Sequence, residues 1–219
     1  MGLMALRIGQ LFVACIVLGV GVALLLLASL GSDGYSTMIN GISIASGLPF
    51  VVVNCMVGVV LVAMAWLRGT RPGLGTIVQP VVVGFVISVL LAAVPAPSGL
   101  PARLLLMVAA LPVLTLGVAG YLGSGTGAGP TEAAALAWDP PAPFRWSYSI
   151  LQGGGALLGW LLGAAIGPGT LLVIFLLGPA VDLVARWLPM FNLRASRASS
   201  RLGSDGRTTV GRSTHARKR

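Results

Sequence analysis

Residues 71–88 read RPGLGTIVQPVVVGFVIS, and residues 167–183 read GPGTLLVIFLLGPAVDL. Each is a G-x-G-T turn that runs straight into an apolar stretch with a single internal glycine. Gly73, Gly75, Thr76 and Gly84 fall on Gly167, Gly169, Thr170 and Gly178 at one constant shift. The same shift places Pro49-Phe50 on Pro143-Phe144, Trp66-Leu67 on Trp160-Leu161, Gly69 on Gly163 and Pro95 on Pro189. A shift two residues longer brings Gly21-Val22-Ala23 onto Gly117-Val118-Ala119 and Gly31 onto Gly127. Trp, Pro and Gly have the shapes hardest to replace, so these matches identify an internal duplication, about 19–95 and 115–189.

Composition sets the solvent. Hydrophobic residues make up 56% of the 219 and charged residues 9%, against roughly 25% charged in an ordinary soluble domain. So little charge cannot cover a water-facing surface, and a membrane protein is expected. The uncharged run LFVACIVLGVGVALLLLASL (11–30) is long enough to cross roughly 30 Å of hydrocarbon. It is too long for a signal-peptide core and reads as a retained helix. Five further spans are expected at about 48–67, 76–94, 104–122, 146–164 and 170–188. Prolines 80, 112 and 179 fall inside three of them, where membrane helices tolerate kinks.

Each copy then has one plan: a spanning helix, a glycine-rich turn, a short weakly polar segment, and two more spans. The short segments are 31–47 and 127–143, the second carrying a short helix near 130–138 that starts at Pro130 with Glu132 in its first turn. Three spans per copy is an odd number, so the second copy enters the membrane upside down, the inverted-repeat construction. With the N-terminus inside, Arg7, Arg68, Arg71, Arg145 and the tail are cytoplasmic and Arg103 alone is outside, in keeping with the positive-inside rule. Segment 31–47 is then external and 124–143 internal. The expected fold is an all-α membrane protein of six transmembrane helices in two inverted three-helix repeats with two short intervening helices, re-entrant or interfacial. Its divisions are a cytoplasmic N-terminus (1–10), a first repeat (11–95), a second repeat (96–190) and a basic disordered cytoplasmic tail (191–219). That tail carries eight Lys/Arg and one acid from Arg194 onward, with no apolar periodicity.

The residues assembled so far, LGSDGYS after the first helix, RPGLGTIVQPVVVGFVIS, GTGAGPTE and GPGTLLVIFLLGPAVDL in that order, resemble the YczE-like family of bacterial integral membrane proteins, within the wider YitT/YczE group. The resemblance covers roughly 11–189. It implies acids five residues past the turn glycine and four past the Gly-Pro of the later helix. Here those positions hold Ser36 and Glu132, then Ser88 and Asp182, and Gly84 is followed by Phe85 rather than Pro. The family has no defined biochemical activity, so the resemblance implies architecture.

Candidate chemistry is sparse. Cys15 and Cys55 lie in apolar spans and read as packing residues, and with one histidine, His215, there is no zinc cluster. No nucleophile–base set or paired carboxylates appears, so no enzyme, cofactor or metal is expected. The candidate substrate or proton site is Ser36, Asn54, Glu132 and Asp182, and the candidate anion-binding turns are Gly31, Gly34, Gly127 and Gly129 at helix N-termini. Plain readings stand beside these: the glycines turn the chain, Asp182 pairs with Arg186 one turn away, and Asn54, Gln79 and Gln152 hydrogen-bond between helices. Expected partners are the lipid bilayer, anionic lipid at the tail, an unknown small-molecule substrate and a second copy in a homo-oligomer, with no nucleic acid. Two functions remain: a small secondary transporter or permease with its site where the repeats meet, or a non-transporting membrane scaffold or accessory protein. Convergence of the polar residues on one cavity favours the first, and dispersal into helix contacts favours the second.

Overall fold

A computed structural model describes residues 2–70, 72–138, 141 and 144–187, with residues 2, 3, 144, 145, 178, 182 and 185–187 described by their backbone alone. The basic tail, Arg71 and Asp139 lie outside the described residues, as does any side-chain pairing of Asp182 with Arg186. All regular structure among the described residues is helical: α1 (Gly2–Ala28), α2 (Gly34–Ser46), α3 (Phe50–Leu67), α4 (Leu74–Ala93), α5 (Leu100–Gly123), α6 (Pro130–Leu136), α7 (Phe144–Leu161), α8 (Pro168–Leu172), one π-helical turn (Val173–Leu177) and α9 (Gly178–Trp187).

Four helices are long and apolar enough to cross a membrane: Met4–Ala28, Phe50–Leu67, Leu74–Ala93 and Leu100–Gly123. The other two expected spans do not meet both criteria. Helix α7 has the length, at 18 residues, but Arg145, Ser147, Gln152 and the Gly153–Gly155 run dilute its apolar character. The last apolar stretch is divided by the π-turn. The outward faces of α3, α4 and α5 carry exposed Val59, Val60, Phe85, Leu105 and Val108. Apolar surface this continuous is unsustainable in water and fits hydrocarbon.

Helix α1 is the mast of the assembly: 61% of its apolar window is buried, against 28% for that of α4. It crosses α5 at two glycines. A methyl group on Gly21 would lie 2.8 Å from Leu114 Cγ, and one on Gly117 would lie 2.6 Å from Leu18 Cα. Low numbers on α1 meet high numbers on α5, so the pair is antiparallel. Small residues bring the two backbones close enough to gain dispersion contact where lipid supplies no hydrophobic drive. Arg103, near the start of α5, ties the end of α1 by donating from Nε to Ala28 O and from an η nitrogen to Ser29 O, each at 2.6 Å.

The duplicated G-x-G-T turns dock crosswise. Gly75 N donates to Thr126 O at 3.0 Å, and Gly169 N donates to Leu30 O at 2.9 Å. Thr76 Oγ1 donates to Ala128 O at 2.6 Å. Each motif therefore seats on the turn that follows the first helix of the other copy. Gly31 and Gly127 sit at those turns with φ of 98° and 128°, a left-handed region costly for residues with a Cβ. A side chain at Gly31 would collide with Thr170 Oγ1, and one at Gly127 would reach 2.9 Å from Gly73 Cα.

The short helices pack alongside the opposite copy. On α2, Gly34 faces Gln152 and Gly41 faces Gly159 of α7, low with low and high with high, so the two run parallel. On α6, Pro130 lies near Gly58 of α3, and Arg68 at the end of α3 donates to Ala137 O at 3.0 Å and stacks over the Trp138 ring at 3.9 Å. That pair is parallel too.

Candidate functional site

Helices α2 and α6 both begin at one cavity. Asp33 is the N-cap of α2 and accepts a hydrogen bond from Ser36 N at 3.0 Å, the cap role its short carboxylate favours. The next amide, Tyr35 N, donates to Gln152 Oε1 of α7 at 2.9 Å. Helix α6 begins after Gly129, with Pro130 in its first position and Glu132 in its first turn. Gly129 N donates to Tyr121 Oη of α5. A methyl on Gly129 would lie 2.6 Å from Glu132 Oε2, 3.0 Å from Tyr121 Oη and 3.1 Å from Gln79 Oε1, so those three oxygens converge on one point.

The cavity leaves about 80 Å³ open to the centres of water molecules, room for several waters by the roughly 10–15 Å³ each needs on that measure. Its polar wall comes from both copies: Asp33, Tyr35, Ser36, Asn54 and Gln79 from the first, and Tyr121, Thr131, Glu132, Tyr148 and Gln152 from the second. Its apolar wall includes Leu18, Val22, Phe50, Val83, Leu114 and Val173. All three tyrosines of the chain line it, and among the described residues no Lys, Arg or His does.

Two interruptions of the helical ladder border the site. Pro80 within α4 lacks the N–H its turn would use, and its own carbonyl accepts from Asn54 Nδ2 at 2.6 Å. The π-turn Val173–Leu177 occupies the corresponding place in the second copy and also borders the cavity. Turns of this kind are frequent at functional sites.

Asp33 and Glu132 both line the cavity, each partly buried. Loss of hydration pushes both carboxyl groups above the ordinary carboxylate range. Hydrogen bonding from Ser36 N pulls Asp33 partly back, and the Asp33 charge pushes Glu132 further up. Each keeps a proton to higher pH than a free carboxyl would.

Of the residues singled out in the sequence, Ser36, Asn54 and Glu132 come together here. The side chain of Asp182 is outside the described residues. Gly31 and Gly127 are filled by the opposing G-x-G-T motifs, and the first free amides of α2 are taken by Gln152 and Asp33. Gly34 supports the contact with α7, and Gly129 shapes the point where Glu132, Tyr121 and Gln79 converge. Sequence reading passed over Asp33 and the tyrosines. Asp33-Gly-Tyr-Ser36 is a legible N-cap pattern, whereas three tyrosines at 35, 121 and 148 meet only through tertiary packing.

A family model matches residues 5–186, both copies and every cavity residue included. The chain belongs to DUF6198, a family of unknown function. It is also similar to an uncharacterized protein of Haemophilus influenzae, 27% identical over 183 residues, covering 80% of this chain and 81% of the relative. No solved structure matches.

Proposed function

We propose that the chain is a small secondary transporter of the cell membrane. In this reading the protein has six spans in two oppositely inserted halves, α7 and the α8–α9 segment supplying the last two, with both termini cytoplasmic as the arginine distribution favours. The resemblance to the YczE-like group belongs to the same reading. One observation carries it: titratable and hydrogen-bonding side chains from the two copies converge on a single cavity. The crosswise seating of the G-x-G-T turns and the antiparallel, glycine-paired α1–α5 crossing support a pseudo-two-fold relation in the membrane plane. That relation lets one half rock against the other about a fixed site. The breaks at Pro80 and at Val173–Leu177 are where the flanking helices would flex. No chemical conversion and no cofactor enters.

Two measurements test it. On a background lacking Cys15 and Cys55, a membrane-impermeant thiol reagent added outside cells is expected to modify Ala45→Cys but not Leu136→Cys; equal labelling would refute the inverted arrangement. In vesicles enclosing a pH-sensitive dye, the reconstituted protein is expected to couple movement of some class of small solute to proton flux, and Glu132→Gln is expected to abolish the coupling. Silence across cationic, anionic and neutral solutes, with folded protein, would refute transport.

A further inference from the structure

The composition of the cavity wall points to a ligand class. Two carboxyl groups, Asp33 and Glu132, line the cavity, and no basic side chain does so among the described residues. An anion there would meet two like charges with no counter-ion, in a setting of low dielectric where that repulsion is strong. Beside a neutral ligand each carboxyl group must either hold a proton or stay uncompensated. A cation answers both.

The rest of the wall separates kinds of cation. A bare inorganic ion needs about six to eight oxygen ligands or retained waters, and among the described residues no group of three or more metal-ligating side chains occurs. Eight of the twenty lining residues are aliphatic, Leu18, Val22, Val83 and Leu114 among them. Such walls suit a cation that carries its own apolar surface. Tyr35, Tyr121 and Tyr148 line the cavity as well, and aromatic rings attract a weakly hydrated ammonium through their quadrupoles. Gln79 has no hydrogen-bond partner among the described residues and can turn its carbonyl to a ligand N–H.

We propose that this cavity binds a compact organic cation, an alkylammonium group, in competition with a proton on the Asp33–Glu132 pair. The inference rests on the transport reading for the identity of the site and adds its substrate class. On entry of the cation one carboxyl group gives up its proton to solvent and the net charge of the site is conserved. On exit the proton returns. The other titratable groups around the pair are the phenols of Tyr35, Tyr121 and Tyr148 and, behind them, the thiols of Cys15 and Cys55. All ordinarily titrate above about 8, so between acid and neutral pH the two carboxyls alone respond among the described side chains of the cavity.

The test is calorimetric titration of the detergent-purified full chain with tetramethylammonium, compared with acetate, Na⁺ and tert-butanol, a near-isosteric neutral. Tetramethylammonium is expected to bind, the other three to bind at least about tenfold more weakly, and its affinity to fall about tenfold or more from pH 8 to pH 5 as the carboxyls protonate. Glu132→Gln and Asp33→Asn are expected to weaken it by a similar factor. The pH series on the unaltered chain keeps the proposal testable if either variant fails to fold. Preference for acetate, Na⁺ or tert-butanol, affinity independent of pH, or no binding overturns it. Binding as expected without flux in vesicles sustains the ligand class and removes transport; flux driven by an anion does the reverse.

Discussion

Gly34→Ala is the sharpest single perturbation of the site. Gly34 is the first residue of α2 and sits directly against the backbone of Gln152 in α7. A methyl group there would overlap the Gln152 carbonyl oxygen and come to 2.5 Å from its carbonyl carbon. Carbon atoms in contact prefer about 3.5–4.0 Å, so α2 must withdraw by roughly 1 Å. Overpacking against backbone that cannot swing away costs about 1–3 kcal/mol. The withdrawal also stretches the Tyr35 N to Gln152 Oε1 bond, now 2.9 Å, at a further cost of about 0.5–1.5 kcal/mol. The expected loss is therefore about 1.5–4.5 kcal/mol, or about 3–18 °C in melting temperature at the roughly 2–4 °C per kcal/mol of chains this size. Gly154→Ala supplies the control. It lies two residues from Gln152 in the same helix, with nothing within 4 Å of a new methyl, and should be neutral or slightly stabilising. Thermal melts of the two purified variants in one detergent decide the matter. If Gly34→Ala melts with Gly154→Ala, the close α2–α7 contact does not exist in the protein.

Three further outcomes are expected. The Glu132 carboxyl has a higher pKa folded than unfolded, so the stability it contributes is complete at acid pH and lost as pH climbs through the folded value; melting temperature should fall toward neutral pH, and Glu132→Gln should flatten that dependence. Asn54→Ala removes the buried bond from Nδ2 to Pro80 O and should cost about 1–3 kcal/mol, measured by denaturant unfolding, whereas an unchanged midpoint would mean that Pro80 finds another donor. Arg103→Gln deletes two charge-assisted bonds that hold the end of α1 and should cost about 1–2 kcal/mol, with increased hydrogen exchange confined to residues 26–29; uniform exchange would disprove the capping role.

Legibility in the sequence tracked the range of the physics involved. Hydropathy is local, so α3, α4 and α5 lie within a few residues of their expected spans, whereas α1 begins at Gly2 rather than near Leu11, the helix continuing back through a less apolar stretch that hydropathy alone does not mark. Proline and glycine are local as well, and Pro130 and the glycine turns marked the start of α6. The division of the last apolar stretch by a π-turn left no mark in 170–188, because leucine and isoleucine accept either ladder. Ser36, Asn54 and Glu132 were recognised as polar groups out of place in a membrane. The tyrosines carried no such signal, since aromatic residues are common near membrane interfaces. Nor did spacing reveal that the G-x-G-T turns serve the opposite copy rather than their own.

The contact between α2 and α7 also has a bearing on biosynthesis. The Tyr35 amide and the Gln152 side chain that satisfies it are 117 residues apart. At roughly 5–20 residues per second, the ribosome needs about 6–23 s to cover that interval. For that time the head of α2 has been made and its partner has not, so Asp33 and the amides beside it depend on water, lipid headgroups or an insertion factor. The first half can enter the membrane early, but its acidic centre is completed only when the second half arrives.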